Sequence, residues 1–178
     1  MSLNQSKSKR IATIAICVAL LNSSKWAFSF IPNVEVVTLL FCTFALTQNR
    51  MDALLISVLF VGVEIVIYGF WLWWVFLYIV YWPLLVVVVS LLPKQSEKVK
   101  IIFTVLISVI FTIFFGLFST FIEVFMVIKI FDYQFWNAFY FRYVSGFPFF
   151  ATQIVSNAVI VSILLAPLVK LINRATTF

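Results

Sequence analysis

The 178-residue chain contains no histidine. That excludes Ser–His–Asp and Cys–His catalysis, His-liganded zinc and His-ligated haem. Cysteine is scarce: only Cys17 and Cys42 occur, each inside an apolar stretch. Such positions suit small packing residues better than a disulfide or a metal site. Charged residues make up only 10% of the chain, against about a quarter in a soluble globular domain. No phosphate-cradling G-x-x-x-x-G-K-[ST] loop is present, so no nucleotide site of that kind is expected. No catalytic residue, metal or cofactor is expected either.

What is abundant is apolar. Hydrophobic residues account for 65% of the chain, and 22 of them are Phe. The mean hydropathy is +1.18. A particle this small keeps much of its surface exposed and cannot hide so much apolar material inside itself. A soluble enzyme, a nucleic-acid-binding module and a disordered tail are thereby excluded. The expected fold class is an all-α membrane protein, a single six-helix domain over residues 1–178.

A lipid-crossing helix needs about 20 mainly apolar residues. Six runs are candidate spans: 11–30, 34–47, 53–69, 72–92, 101–128 and 147–172. The second is short at about 1.5 Å per residue, so it is expected to begin below the membrane surface. Non-helical backbone near residues 31–33 would then lie at membrane depth, which is tolerable only where it lines a cavity. The cations before the first run resemble a leader, but that run reaches membrane length without a convincing cleavage site.

Lys and Arg set orientation in membrane proteins. With the N-terminus inside, Lys7, Lys9, Arg10, Arg50, Lys94, Lys98, Lys100, Lys170 and Arg174 fall on the cytoplasmic side. Only Lys25, Lys129 and Arg142 fall outside. Both termini are therefore expected in the cytoplasm, and the net charge of +6 reads as a topology signal, not a polyanion surface.

An ionisable group inside a bilayer is costly unless paired or hydrated, which makes it a functional candidate. On this topology Lys25, Glu35, Glu64, Glu123, Lys129, Asp132 and Arg142 all gather toward the outer face. Aromatic residues crowd the same depth. Five tryptophans (26, 71, 73, 74 and 136) lie toward the outside, and only Trp82 sits deeper. An interfacial belt would decorate both sides, so the asymmetry favours a pocket opening outward. Glu35 follows Pro32 and Asn33 at a helix start, where a carboxylate also suits the helix dipole. Glu64 has no sequence-local cation, so its partner must come from another helix or a ligand. Glu123 has Lys129 six residues on. Lys25 and Arg142 can pair with these acids or snorkel. Gln153 and Asn157, one turn apart, face the same way and suit interhelical hydrogen bonds. Arg50 with Asp52 reads as a turn-stabilising pair.

Three stretches together resemble one family. They are Ile31-Pro32-Asn33-Val34-Glu35-Val36-Val37-Thr38, the Trp-rich turn from Gly69 to Trp74 followed by Trp82-Pro83, and Ser145-Gly146-Phe147-Pro148-Phe149 with Asn157-Ala158 and Ala166-Pro167-Leu168. In order, length and span count, the chain resembles the substrate-binding S components of energy-coupling factor (ECF) transporters, which import vitamins across the bacterial cytoplasmic membrane. The Gly-rich turn often seen between spans two and three is here Thr47-Gln48-Asn49-Arg50.

The resemblance implies a vitamin or precursor bound near the outer face. It implies association with a transmembrane coupling protein and two ABC ATPase subunits, and toppling of the S component in the membrane. It also implies a small-residue docking face on span one, matched by Ala15 and Ala19 with Ala12 beside them. Small residues four apart let helices approach closely, which ordinary packing within the chain would use as well. The residues expected to bind substrate are Asn33, Glu35, Glu64, Trp71, Trp74, Glu123, Tyr133, Trp136, Arg142 and Asn157. Carboxylate acceptors and ring faces suit a flat heterocycle bearing N–H donors, such as hydroxymethylpyrimidine or a pyridoxine-like compound. An anion such as pantothenate would use Lys25, Lys129 or Arg142, and cobalamin would need a wider mouth. The alternatives are a stand-alone secondary transporter or channel, which predicts midplane charges and an inverted repeat, and an integral membrane enzyme.

Overall fold

The computed structural model describes residues 7–31, 33–70, 72–93, 96–128 and 133–175. Among them are six helices and no strand: α1 (Lys7–Ala27), α2 (Val37–Thr47), α3 (Arg50–Tyr68), α4 (Trp73–Ser90), α5 (Glu97–Val127) and α6 (Tyr133–Ala175). Local chemistry sets several ends. Asn49 caps α3, its side-chain oxygen accepting from the Asp52 backbone N–H at 2.9 Å. Gly69 ends α3 at φ +86° and ψ 158°, a conformation in which a Cβ would clash. Pro83, Pro148 and Pro167 lie inside α4 and α6, where each removes a backbone donor.

Side-chain pairs fix the helix directions. Arg10 pairs with Asp52 and Lys25 with Glu64, so α1 and α3 run the same way. Arg142 faces Glu123, Phe150 faces Gly116 and Asn157 faces Thr112. Numbers rise on α6 as they fall on α5, so these two are antiparallel. α2 is the central helix: eight of its 11 residues are buried. Phe41 stacks on Trp82 at 4.8 Å and meets Phe60 edge-on at 5.4 Å. These rings are the aromatic heart of the core, and Cys17 and Cys42 are buried, free thiols around it.

Four helices, α3 to α6, are long and apolar enough to cross a membrane. α1 carries Lys7, Lys9, Arg10, Asn22 and Lys25 toward its ends, and α2 is only 11 residues long. The bundle is inverted relative to a soluble one. On α5 the buried positions are mostly small or hydroxylated: Thr104, Ser108, Thr112, Gly116, Ser119 and Thr120. Its exposed positions include Ile102, Phe103, Leu106, Ile110, Phe114 and Phe118. The inward hydroxyls donate to carbonyls of their own helix, as Thr112 does to Ser108 at 2.8 Å. A continuous apolar exterior of this kind is suited to lipid, not water.

One helix boundary and one side-chain pairing differ from expectation. The stretch between the fifth and sixth expected spans, residues 129–146, is helical from Tyr133 onward. Pro148 does not start the helix there, because the aromatic side chains before it find packing partners along α5. Phe121, for example, meets Phe135 at 5.5 Å and Phe139 at 6.5 Å. Arg50 does not pair with Asp52: it donates to the Ser90 carbonyl at 3.0 Å, while Asp52 takes Arg10. As neighbours on one helix start, Arg50 and Asp52 point to different flanking helices.

Candidate functional site

One cavity of about 470 Å³ opens at the end of the bundle where α1 finishes and α2 begins. Its wall draws on every helix region at that end. Lys25 and Trp26 come from α1, and Phe28, Asn33 and Glu35 from the segment leading to α2. Tyr68 comes from α3, Trp73, Trp74 and Tyr78 from α4, Phe115 from α5 and Gln153 from α6.

The segment before α2 is shaped by successive turns, with Ile31 N–H donating to the Phe28 carbonyl at 3.0 Å. Asn33 takes φ +60°, a left-handed conformation that asparagine tolerates better than most residues. Ser156 on α6 donates its hydroxyl to the Asn33 carbonyl at 2.9 Å and pins that turn. Non-helical backbone therefore does line a cavity, as the shortness of the second run predicts.

Lys25 forms one side of the cavity. Its ammonium pairs with Glu64, whose side chain is fully buried. The same nitrogen lies 4.5 Å from the Trp74 ring centre, 5.0 Å from Tyr78 and 5.1 Å from Tyr68. The cage follows from helix geometry: Glu64 and Tyr68 are four apart on α3, and Trp74 and Tyr78 are four apart on α4. Ring faces attract a cation through their quadrupole, and the carboxylate supplies the charge. The second Glu64 oxygen is buried without a hydrogen-bond partner.

Glu35 forms the other polar wall. It accepts from the Gln153 amide at 3.0 Å. One turn further along α6, Asn157 donates to Thr38 at 3.3 Å and Thr112 at 3.1 Å, tying α6 to α2 and α5. Asn157 thus lies buried beneath the cavity, with its own carbonyl oxygen unpartnered.

The residues expected at the site divide. Asn33, Glu35 and Trp74 line the cavity, Glu64 stands behind Lys25 and Asn157 lies below. Trp71, Lys129 and Asp132 lie outside the described residues. Glu123 and Arg142 are not at this cavity: they pair with each other at 3.3 Å beside a separate hollow of about 70 Å³. Tyr133 is 80% exposed, and Trp136 is exposed and packs against Phe135 and Phe139. The reason is length along the helix axis. Glu123 is eight residues beyond the lining Phe115, which is about 12 Å at helical rise. Ala12, Ala15 and Ala19 are all exposed on α1. Ala15 and Ala19 border an apolar groove of about 530 Å³ between α1 and α3.

Tyr78, Trp73 and Phe115 line the cavity without having been singled out as ligands. Trp74, Tyr78 and Trp82 stand four apart, a ladder visible in the sequence that marks Tyr78 as continuing the same face. Nothing in the sequence marks Phe115 among the phenylalanines of α5. Compared with known proteins, the chain matches no protein family, no curated protein and no solved structure.

Proposed function

We propose that the chain is the membrane-embedded substrate-binding subunit of an ECF-type vitamin importer in a bacterial cytoplasmic membrane. In this reading it has six spans with both termini cytoplasmic, and the cavity faces outward. It captures a flat heterocycle such as a vitamin or vitamin precursor. It then delivers the ligand by toppling against a transmembrane coupling protein, with ATP hydrolysed by two partner ABC subunits. The single observation that carries the reading is the one-ended cavity, in which a carboxylate (Glu35), a Glu64-paired lysine (Lys25) and several ring faces converge at the end opposite the Arg10–Asp52 pair. Placed partners and ring walls are what a desolvated, water-soluble ligand requires. The exposed Ala15 and Ala19 beside an apolar groove, with the exposed Ala12 one turn away, support docking on α1.

The test is purification of tagged protein from its native membrane, with mass spectrometry of released small molecules and of co-purifying proteins. The reading expects a heterocyclic vitamin-like compound, an ATPase pair and a larger membrane partner. Ala15→Trp should reduce co-purification and leave ligand content unchanged. Uptake by liposomes holding this chain alone would replace the reading with a stand-alone transporter.

A further inference from the structure

The charges around the cavity do not cancel. Among the described residues lining it, Lys25 is the one cation. Its ammonium is already held by Glu64 and covered by Tyr68, Trp74 and Tyr78. An incoming anion would have to displace a fully buried carboxylate from that cage, leaving Glu64 without a counter-ion. Glu35 is in the opposite position. It lines the cavity and is served by neutral groups, the Gln153 amide with Asn157 and Thr38 nearby, and it forms no ion pair among the described residues. In formal charge, Glu35 in the wall and Glu64 behind it stand against the one cation Lys25. Trp73, half-buried, lines the same cavity.

We propose that the cavity selects a flat organic cation, a protonated nitrogen heterocycle or amidine, whose charged N–H group donates to Glu35 while its ring lies on the Trp73 and Trp74 side. This rests on the cavity being the ligand site proposed above, and adds the sign of the ligand's charge. Lys25 serves as a fixed internal counter-ion to Glu64, so Glu35 is the carboxylate available to the ligand. A charge-assisted hydrogen bond is shorter and stronger than its neutral counterpart, and it is made here against ring faces that also favour a cation.

The experiment uses three ligands with one ring and three charges: benzamidinium, neutral benzamide and anionic benzoate. Each is titrated into the full-length protein in detergent micelles, after endogenous small molecules are removed, with binding followed by calorimetry and tryptophan quenching. Benzamidinium should bind at least about tenfold more tightly than benzamide, a difference of about 1.4 kcal/mol, and benzoate should bind weakest. Glu35→Gln, which can keep its contact with Gln153, should bring benzamidinium and benzamide together without moving the thermal unfolding curve. Glu35→Asp, which keeps the charge, should retain part of the preference. Trp73→Ala should weaken all three ligands. If benzoate binds best, or Glu35→Gln keeps the cation preference while Trp73→Ala still weakens binding, the charge inference fails and the cavity remains the site. If Trp73→Ala changes nothing, or no ligand binds at millimolar concentration, both the inference and the ligand-site reading fall.

Discussion

The Lys25–Glu64 pair makes the sharpest stability prediction. The Glu64 side chain is fully buried and that of Lys25 is 22% exposed. Lys25→Met removes the counter-ion and leaves a carboxylate in an apolar, ring-lined site. Breaking a buried pair from one side costs about 3–5 kcal/mol. The lost contacts between the ammonium and three rings add to this, each up to about 2 kcal/mol when desolvated. Glu64→Leu should cost less, because the Lys25 ammonium can turn toward the cavity mouth and hydrate. The double variant, Lys25→Met with Glu64→Leu, should return to wild-type stability or exceed it, since well-packed apolar replacements of a buried pair are neutral or stabilising by about 1–4 kcal/mol. The cycle should therefore give a coupling energy of at least about 3 kcal/mol, at or above the upper range usual for residues in contact. Equilibrium unfolding in mixed micelles by added SDS, followed by tryptophan fluorescence, measures all four proteins. A Lys25→Met cost under about 1 kcal/mol, the range of exposed pairs, would mean that the pair is hydrated and that the cage argument is wrong.

Three further outcomes follow from backbone and packing. Asn49→Ala removes the α3 cap and should lower stability by about 1 kcal/mol, read in the same SDS titration. Gly69→Ala forces a side chain into a conformation that only glycine adopts freely and should cost about 1–3 kcal/mol; a neutral result would show that the α3 end relaxes. At Gly116 an added Cβ would sit 2.9 Å from the Phe150 ring. Gly116→Leu should therefore destabilise by about 1–3 kcal/mol, and Phe150→Ala in the same protein should recover part of the loss. Equal loss in the single and double variants would contradict that contact.

The helical class and the four long apolar segments were legible because they rest on composition and run length, which need no neighbours. The short α2 was legible for the same reason: the run 34–47 is only 14 residues long, too few to cross hydrocarbon at about 1.5 Å each. The helical start of α6 was not legible. Residues 133–146 mix aromatic and polar side chains without a clean period, and contact with α5 decides their state. Half of the site was readable from the rarity of charge. Glu35 and Glu64 stand out because carboxylates are few, and the lack of a local cation for Glu64 already demanded a partner from another helix.

Sequence alone determined which groups are costly to leave in lipid, because that penalty belongs to each side chain: Lys25, Glu35, Glu64, Glu123, Lys129, Asp132 and Arg142. Only the tertiary structure decided how the penalties are relieved. Glu64 takes Lys25 and Glu123 takes Arg142, choices set by where the helices lie side by side and how far along its axis each residue stands. Glu35 lines the cavity without an ion pair among the described residues, because packing brings Lys25 to Glu64 instead.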